Sequence, residues 1–110
     1  PRTSSAASDV YKRQAKAGIE GFARSAAATY AKDNLRVNVI APSIMDSNMS
    51  QKILSTEASR EVSKNMHPIS KIGDADDILP VIKWLLSPDA KWVTGQTIHV
   101  DGGLSTVKPR

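Results

Sequence analysis

Residues 36–49 read RVNVIAPSIMDSNM, and this stretch decides the fold. Val37, Val39 and Ala41 alternate with Asn38 and Ile40. Branched side chains suit a pleated surface, and the apolar Ile40 on the opposite side predicts a short strand buried on both faces. Pro42 has no amide hydrogen to give, so the predicted ladder stops there. Ser43, Ser47, Asn48 and Ser50 follow at the carboxyl end of the strand. In an open parallel sheet that end is where ligands bind. An ordinary buried strand followed by an ordinary loop fits the same spacing.

Upstream, residues 15–32 predict a helix. Ile19, Phe22, Ala23, Ala26, Ala27 and Tyr30 recur at three- and four-residue steps, which places them on one face. Glu20, Arg24 and Lys32 lie mostly away from it, and the alanines allow a neighbour to approach closely. Asp33 and Asn34 end the helix, and Leu35 leads into the strand. A helix feeding a strand through a short turn is half of an α/β unit.

Downstream, residues 56–65 have helix-forming composition, with Thr56 or Ser55 as cap. Ala58, Val62 and Met66 are its main apolar groups, which predicts a mobile, partly exposed helix over the strand ends. Residues 66–73, MHPISKIG, form a loop broken by Pro68 and Gly73. Asp74 caps the next helix, with Asp76 and Asp77 at the positive end of its dipole. Ile78, Val81, Ile82, Leu85 and Leu86 build its apolar face, and Ser87-Pro88 closes it. Pro80 inside that helix removes one backbone hydrogen bond and predicts a kink. Trp92, in the connector that follows, is expected to cover the core edge. Residues 96–100, QTIHV, alternate as a strand before Asp101-Gly102-Gly103 turns the chain.

The order is helix, strand, one or two helices, helix, strand, an α/β pattern. Two strands do not make a stable open sheet, so the chain is expected to be a fragment of a wider one. Its 110 residues suit at most one small domain or a piece of a larger one. Hydrophobic content of 40% suffices for a core, and the absence of cysteine excludes disulfides and thiolate metal sites. His67 and His99 have no metal-type spacing and read as surface or packing residues, so no metal is expected. No apolar run approaches a membrane span and no secretory signal pattern opens the chain, so a cytoplasmic protein without a membrane partner is expected. The net charge is +4. Half of it comes from Arg2, Lys12 and Arg13 against Asp9 in the first fourteen residues. The remaining charges are interspersed without a basic stripe, which argues against a nucleic-acid partner.

Residues 1–14, PRTSSAASDVYKRQ, are polar, lack any period and meet the next segment abruptly. Residues 4–14 resemble the translation of a sequencing-library adapter. The expectation is a non-native lead-in, disordered or artefactual, with the natural protein entering at about Ala15 and one domain occupying residues 15–110. A genuine disordered or helical lead-in is the alternative.

Four blocks after residue 14 carry a family resemblance. Residues 15–25, AKAGIEGFARS, resemble the helix that holds the active-site lysine of the short-chain dehydrogenase/reductase family, in its compact single-domain type. Residues 36–49 resemble that family's strand and cofactor loop, N-x-x-x-P-G followed by isoleucine or valine, a spacer, threonine and a hydrophobe. Residues 72–87 resemble the helix beside the last strand, and residues 94–103, TGQTIHVDGG, that strand with its diglycine end. The resemblance implies the carboxyl-terminal part of a doubly wound parallel-sheet, Rossmann-like domain, with two strands and three to four helices present.

It also implies an oxidoreductase using NAD or NADP to move hydride to or from a small carbonyl or alcohol substrate, and a homo-oligomeric parent, dimer or tetramer. In the family a tyrosine passes the proton, and a lysine four residues on lowers its pKa and holds the nicotinamide ribose. An ammonium favours the phenolate, and four residues stack both side chains on one helical face. Lys16 matches the lysine. The tyrosine position holds Lys12, and Tyr11, five residues before Lys16, points about 140° away on an ideal helix. Ile44 matches the residue whose backbone meets the nicotinamide carboxamide, and Ser47 matches the threonine hydroxyl. Pro42 and Met49 match the proline and the hydrophobe of the loop. Ser43 replaces the usual glycine, which would cost about 1 kcal/mol if the backbone there needed positive φ. Ser47 also suits a helix cap before Gln51.

Two functions therefore compete. One is a fragment of an NAD(P)-dependent oxidoreductase, inactive as this chain because the phosphate cradle lies elsewhere. The other is a non-catalytic interaction module that pairs like subunits through the same helix and last strand.

Overall fold

A computed structural model describes residues 2–47 and 50–108. Among them the order is α1 (Arg2–Tyr30), β1 (Val39–Pro42), α2 (Glu57–Met66), α3 (Ala75–Leu86) and β2 (Thr97–Val100), with 3-10 turns at Ala31–Asp33 and Pro88–Ala90. The strands β1 and β2 pair in a two-stranded parallel sheet. This is a partial α/β domain, as the order of elements in the sequence implies. The chain divides into two compact units, Pro1–Val39 with Lys91–Thr97, and Ile40–Ala90 with Ile98–Arg110.

In the first unit the helix extends further toward the amino terminus than expected. Residues 2–14 carry no apolar period, yet they continue α1 without a break. Once a helix is nucleated, each added residue gains one hydrogen bond for one residue fixed, so a polar extension can follow a packed segment. Val10 and Tyr11 on it are exposed.

The packing of α1 is narrower than the predicted stripe. Ala23 and Ala27 are buried, whereas Ile19, Phe22 and Tyr30 are exposed. The close contact is made with Gly95, at which an added Cβ would stand 3.7 Å from the Ala27 Cβ. Gly95 has φ +71, a turn that glycine adopts without strain. Asn34, at φ 61, closes the 3-10 turn and is the only non-glycine residue with positive φ among the described residues.

Asn38 then joins the two strand approaches. Its side-chain amide donates to the Val93 carbonyl at 3.0 Å, and its oxygen accepts the Gln96 amide at 3.0 Å. The ladder continues with Gly95 N–H to the Val37 carbonyl at 2.7 Å and Val39 N–H to the Gln96 carbonyl at 2.8 Å. Trp92 does not cover the core. It is 97% exposed, because the backbone at residues 93–96 takes up the pairing with residues 36–39 and leaves the indole outside.

In the second unit the two helix starts fall where their caps predict. The Thr56 hydroxyl accepts the Ser59 amide and the Ser59 hydroxyl accepts the Thr56 amide, a reciprocal cap on α2. Asp74 accepts from the Asp76 amide, while Asp77 accepts from the Asp74 amide, and α3 begins there. Pro80 does not end α3, which runs unbroken to Leu86. Leu54, Leu85 and Ala90 form the buried apolar core of this unit. The helix α2 packs differently from expectation. Val62 and Met66 are exposed, and Ser63 with the following His67 is buried instead.

Replacing Asp74 with alanine strands the Asp76 amide at the start of α3. The expected cost is about 1 kcal/mol, read in urea denaturation as a lower midpoint at unchanged slope.

Candidate functional site

The site is built at the end of β1, inside the second unit. Pro42 closes the strand as its last residue and is exposed, so the ring costs no ladder bond that a neighbour needs. Ser43 follows with ordinary backbone torsion, since positive φ among the described non-glycine residues is confined to Asn34. The glycine-to-serine exchange at this position therefore carries no left-handed strain. Ile44 is half-buried, and Ser47 is exposed. Met49, with Asn48 beside it, lies outside the described residues.

Backbone bonds fix the path of the loop. Met45 and Gly73 form a parallel bridge, and the Asp46 amide donates to the Gly73 carbonyl at 2.8 Å. The buried Ser50 closes the turn. Its hydroxyl accepts the Ser47 amide at 3.0 Å and lies against the carbonyls of Ser47 and Met45. Ser47 thus enters the turn through its backbone amide and carbonyl. Ser50, not Ser47, is the residue on which the loop closes, and its role depends on a three-residue reach that a sequence motif does not mark.

His67 sits under this loop and is 4% exposed. Its Nδ1 lies 2.6 Å from the Ser63 carbonyl and its Nε2 lies 2.9 Å from the Ser43 hydroxyl. A carbonyl can only accept, so Nδ1 carries the hydrogen. In the neutral ring Nε2 then accepts from Ser43. The packing assignment for His67 stands, but with two specific polar partners. The turn after β2 completes the wall. The Ile69 amide donates to the Gly102 carbonyl at 2.9 Å, and an added Cβ at Gly102 would stand 3.2 Å from the Ile69 carbonyl oxygen. With φ +62 as well, only glycine fits there.

Together these segments enclose a cavity of about 200 Å³, lined by Ser43, Ile44, His67, Ile69, Asp77 and Val100 among others. Lys71 and Asp101 also face it. The Lys71 ammonium reaches both oxygens of Asp77 at 2.8 Å. That bond, aided by the Asp74 amide, holds the Asp77 carboxyl below its ordinary pKa, and the same bond raises Lys71. At Asp101 burial pushes the carboxyl up. Hydrogen bonds from Ser105 and Gly103 outweigh it, leaving the pKa lowered. A mainly apolar recess with a few convergent polar groups is the usual form of a small-molecule site.

Lys16 belongs to the first unit, on α1, where it is exposed. Tyr11 shares that regular helix five residues earlier and is 71% exposed. Pro42, Ser43, Ile44 and Ser47 are brought together in the second unit. Among the described residues no group of three or more metal-ligating side chains is present, and no helix is long and apolar enough to cross a membrane.

A family model described as enoyl-(acyl carrier protein) reductase matches residues 3–105. A 3-oxoacyl-acyl-carrier-protein reductase of Haemophilus influenzae is 39% identical over 90 residues, 82% of this chain and 36% of that protein. A tropinone reductase homolog of Arabidopsis thaliana is 33% identical over 90 residues, 82% of this chain and 34% of that protein. Among solved structures, 4-hydroxyisoleucine dehydrogenase complexed with NADH superposes with a TM-score of 0.79 at 28% identity, over 84% of this chain and 38% of that one. A short-chain type dehydrogenase/reductase from Mycobacterium ulcerans gives 0.77 at 26% identity, over 86% and 34%. The chain spans about a third of the length of the curated relatives it matches.

Two outcomes follow from the ties around the cavity. Ser50→Ala leaves the Ser47 amide without its side-chain acceptor, at an expected cost of about 1–3 kcal/mol, seen as faster hydrogen exchange at Ser47. The Lys71–Asp77 pair makes a pH-dependent contribution. With the carboxyl pKa depressed, its stabilisation is complete above the ordinary carboxylate range and is lost as the pH falls through the lowered value. With the ammonium raised, the mirror loss comes as the pH rises past the ordinary lysine range. Asp77→Asn should therefore flatten both limbs of the stability profile. Both groups are well exposed, so the difference should shrink in high salt.

Proposed function

We propose, for a chain that belongs to the short-chain dehydrogenase/reductase family, that it is the carboxyl-terminal part of an NAD(P)-dependent oxidoreductase acting on a small carbonyl or alcohol substrate. The carrying observation is the loop after β1. Ser43 and Ile44 line an apolar recess at the carboxyl end of a parallel strand, where such sheets bind ligands. A mainly apolar recess of about 200 Å³, with the Ser43 hydroxyl and the side chains of His67, Lys71, Asp77 and Asp101 in its lining, suits a flat amide ring. The residues fit a nicotinamide.

In this reading Pro42, Ser43, Ile44, Ser47 and Met49 form the cofactor loop. The Ile44 backbone meets the carboxamide, and the Ser47 hydroxyl, on an exposed residue, keeps both a donor and an acceptor available. Lys16 holds the nicotinamide ribose and, with a tyrosine four residues before it in the parent, lowers that phenol's pKa by its positive charge. Free tyrosine titrates near 10, so a neighbouring ammonium brings it closer to the working pH of a general acid or base. The bound cofactor supplies or takes the hydride. A dimeric or tetrameric parent in the cytoplasm completes the proposal, and residues 1–14 are foreign to it.

The test begins with the genomic reading frame upstream of residue 15. It should place tyrosine where Lys12 stands here, with a glycine-rich turn further back. Protein made from that frame should oxidise NADH or NADPH with carbonyl substrates. Lys16→Ala should lower its kcat/KM by about 100-fold or more, and Ser47→Ala should raise the KM for cofactor. An intact frame without that tyrosine, or protein from it that neither binds nor turns over a nicotinamide, overturns the proposal and favours a non-catalytic pairing module.

A further inference from the structure

His67 has more chemistry than its packing needs. It is buried, lies 24 residues from Ser43 in sequence, and joins that hydroxyl to the last turn of α2. The Ser63 carbonyl accepts only, which commits Nδ1 as a donor in every protonation state. Nε2 is the nitrogen that can change. In the neutral ring it accepts from Ser43, whose hydrogen points at the imidazole while its oxygen lone pairs remain. In the imidazolium Nε2 carries a hydrogen and donates, so the Ser43 oxygen accepts and its own hydrogen is released. The bond survives in both states with its direction reversed.

We propose that His67 is a positioning residue for residues 43–47, whose imidazole sets the direction of the Ser43 hydroxyl and thereby decides whether the recess beside Ile44 offers an acceptor or a donor. Both residues line the cavity, so the reversal is felt where a ligand would lie. With His67 neutral the recess takes a donor such as a primary carboxamide N–H₂. With His67 charged it takes an acceptor such as a carbonyl oxygen. Assigning that ligand as a nicotinamide carboxamide rests on the function proposed above, whereas the reversal of the bond does not.

The other titratable groups facing this recess are accounted for. Lys71 is bound to Asp77. Asp101 is held by the amides of Gly103 and Ser105, with His99 at 4.0 Å. From the loop itself, Asp46 pairs with Arg60 at 3.1 Å. His67 and His99 are the histidines of the chain, so a His99 variant serves as the control for a His67 variant.

Nitrogen-15 NMR on the full 110-residue chain tests this without any cofactor. At the alkaline end of the imidazole titration His67 should show hydrogen on Nδ1 and a bare Nε2, the less common tautomer. The amide resonances of Ile44 and Asp46 should move with the same midpoint as His67. In Ser43→Ala that shared movement should be lost, in His67→Gln the loop amides should stop responding between pH 5 and 8, and in His99→Gln the movement should persist. A His67 ring with hydrogen on Nε2, random-coil shifts for Ser43 and His67, or an Ile44 response that survives Ser43→Ala overturns the proposal. Because no nicotinamide is present, such a failure leaves the oxidoreductase reading standing. Failure of that reading in the intact enzyme leaves the coupling of Ser43 to His67 standing.

Discussion

His67 is where the second unit is tied together, and the constraint is that a buried polar ring must have both nitrogens satisfied. One nitrogen takes the last turn of α2 through the Ser63 carbonyl, and the other takes the end of β1 through Ser43. An added Cβ at Gly102 would stand 3.4 Å from the His67 Cβ, so the turn after β2 passes over it. Three segments distant in sequence are thus placed by one side chain. An unpaired polar group in such a place costs about 1–3 kcal/mol. Among the described residues no buried side-chain nitrogen or oxygen lacks a partner. Burial of Ser50 follows the same logic, since its hydroxyl lies beside the amide and carbonyls it serves.

The first unit solves a different problem with small residues. An alanine pair on α1 and a glycine with positive φ bring helix and chain together, while the large apolar groups of the same helix stay outside. Asn38 supplies both halves of a missing peptide pair, donating to Val93 and accepting from Gln96. A side-chain amide has the same donor and acceptor as a backbone unit, so it can extend a ladder past the point where the strands diverge.

What could be read in the sequence was what local physics decides. Thr56 and Asp74 start their helices because a cap and its partner lie three residues apart, well within a sequence window. The strand before Pro42, the breaks at Pro68 and Gly73 and the diglycine turn were legible for the same reason. Long-range partners were not. The spacing of Phe22 and Ile19 states only that they share a face with Ala23, not which part of that face meets a neighbour. Val62 is the larger apolar group of α2, yet Ser63 is buried, because hydropathy does not register that its carbonyl meets the buried His67 ring. The 24-residue link from His67 to Ser43 leaves no local pattern at all.

The candidate site inherits its definition from these long-range ties rather than from charge. Arg60 and Asp46 form an ion pair across the loop, but both side chains are 41% exposed. Such a pair contributes about 0–1 kcal/mol and weakens with salt. The bridge from Met45 and Asp46 to Gly73 and the closure through Ser50 are hydrogen bonds partly withdrawn from water, each with a desolvation penalty if broken. The loop is therefore held by backbone geometry before any ligand arrives. Its adjustable element is the hydroxyl of Ser43, which can turn without breaking a single one of those ties.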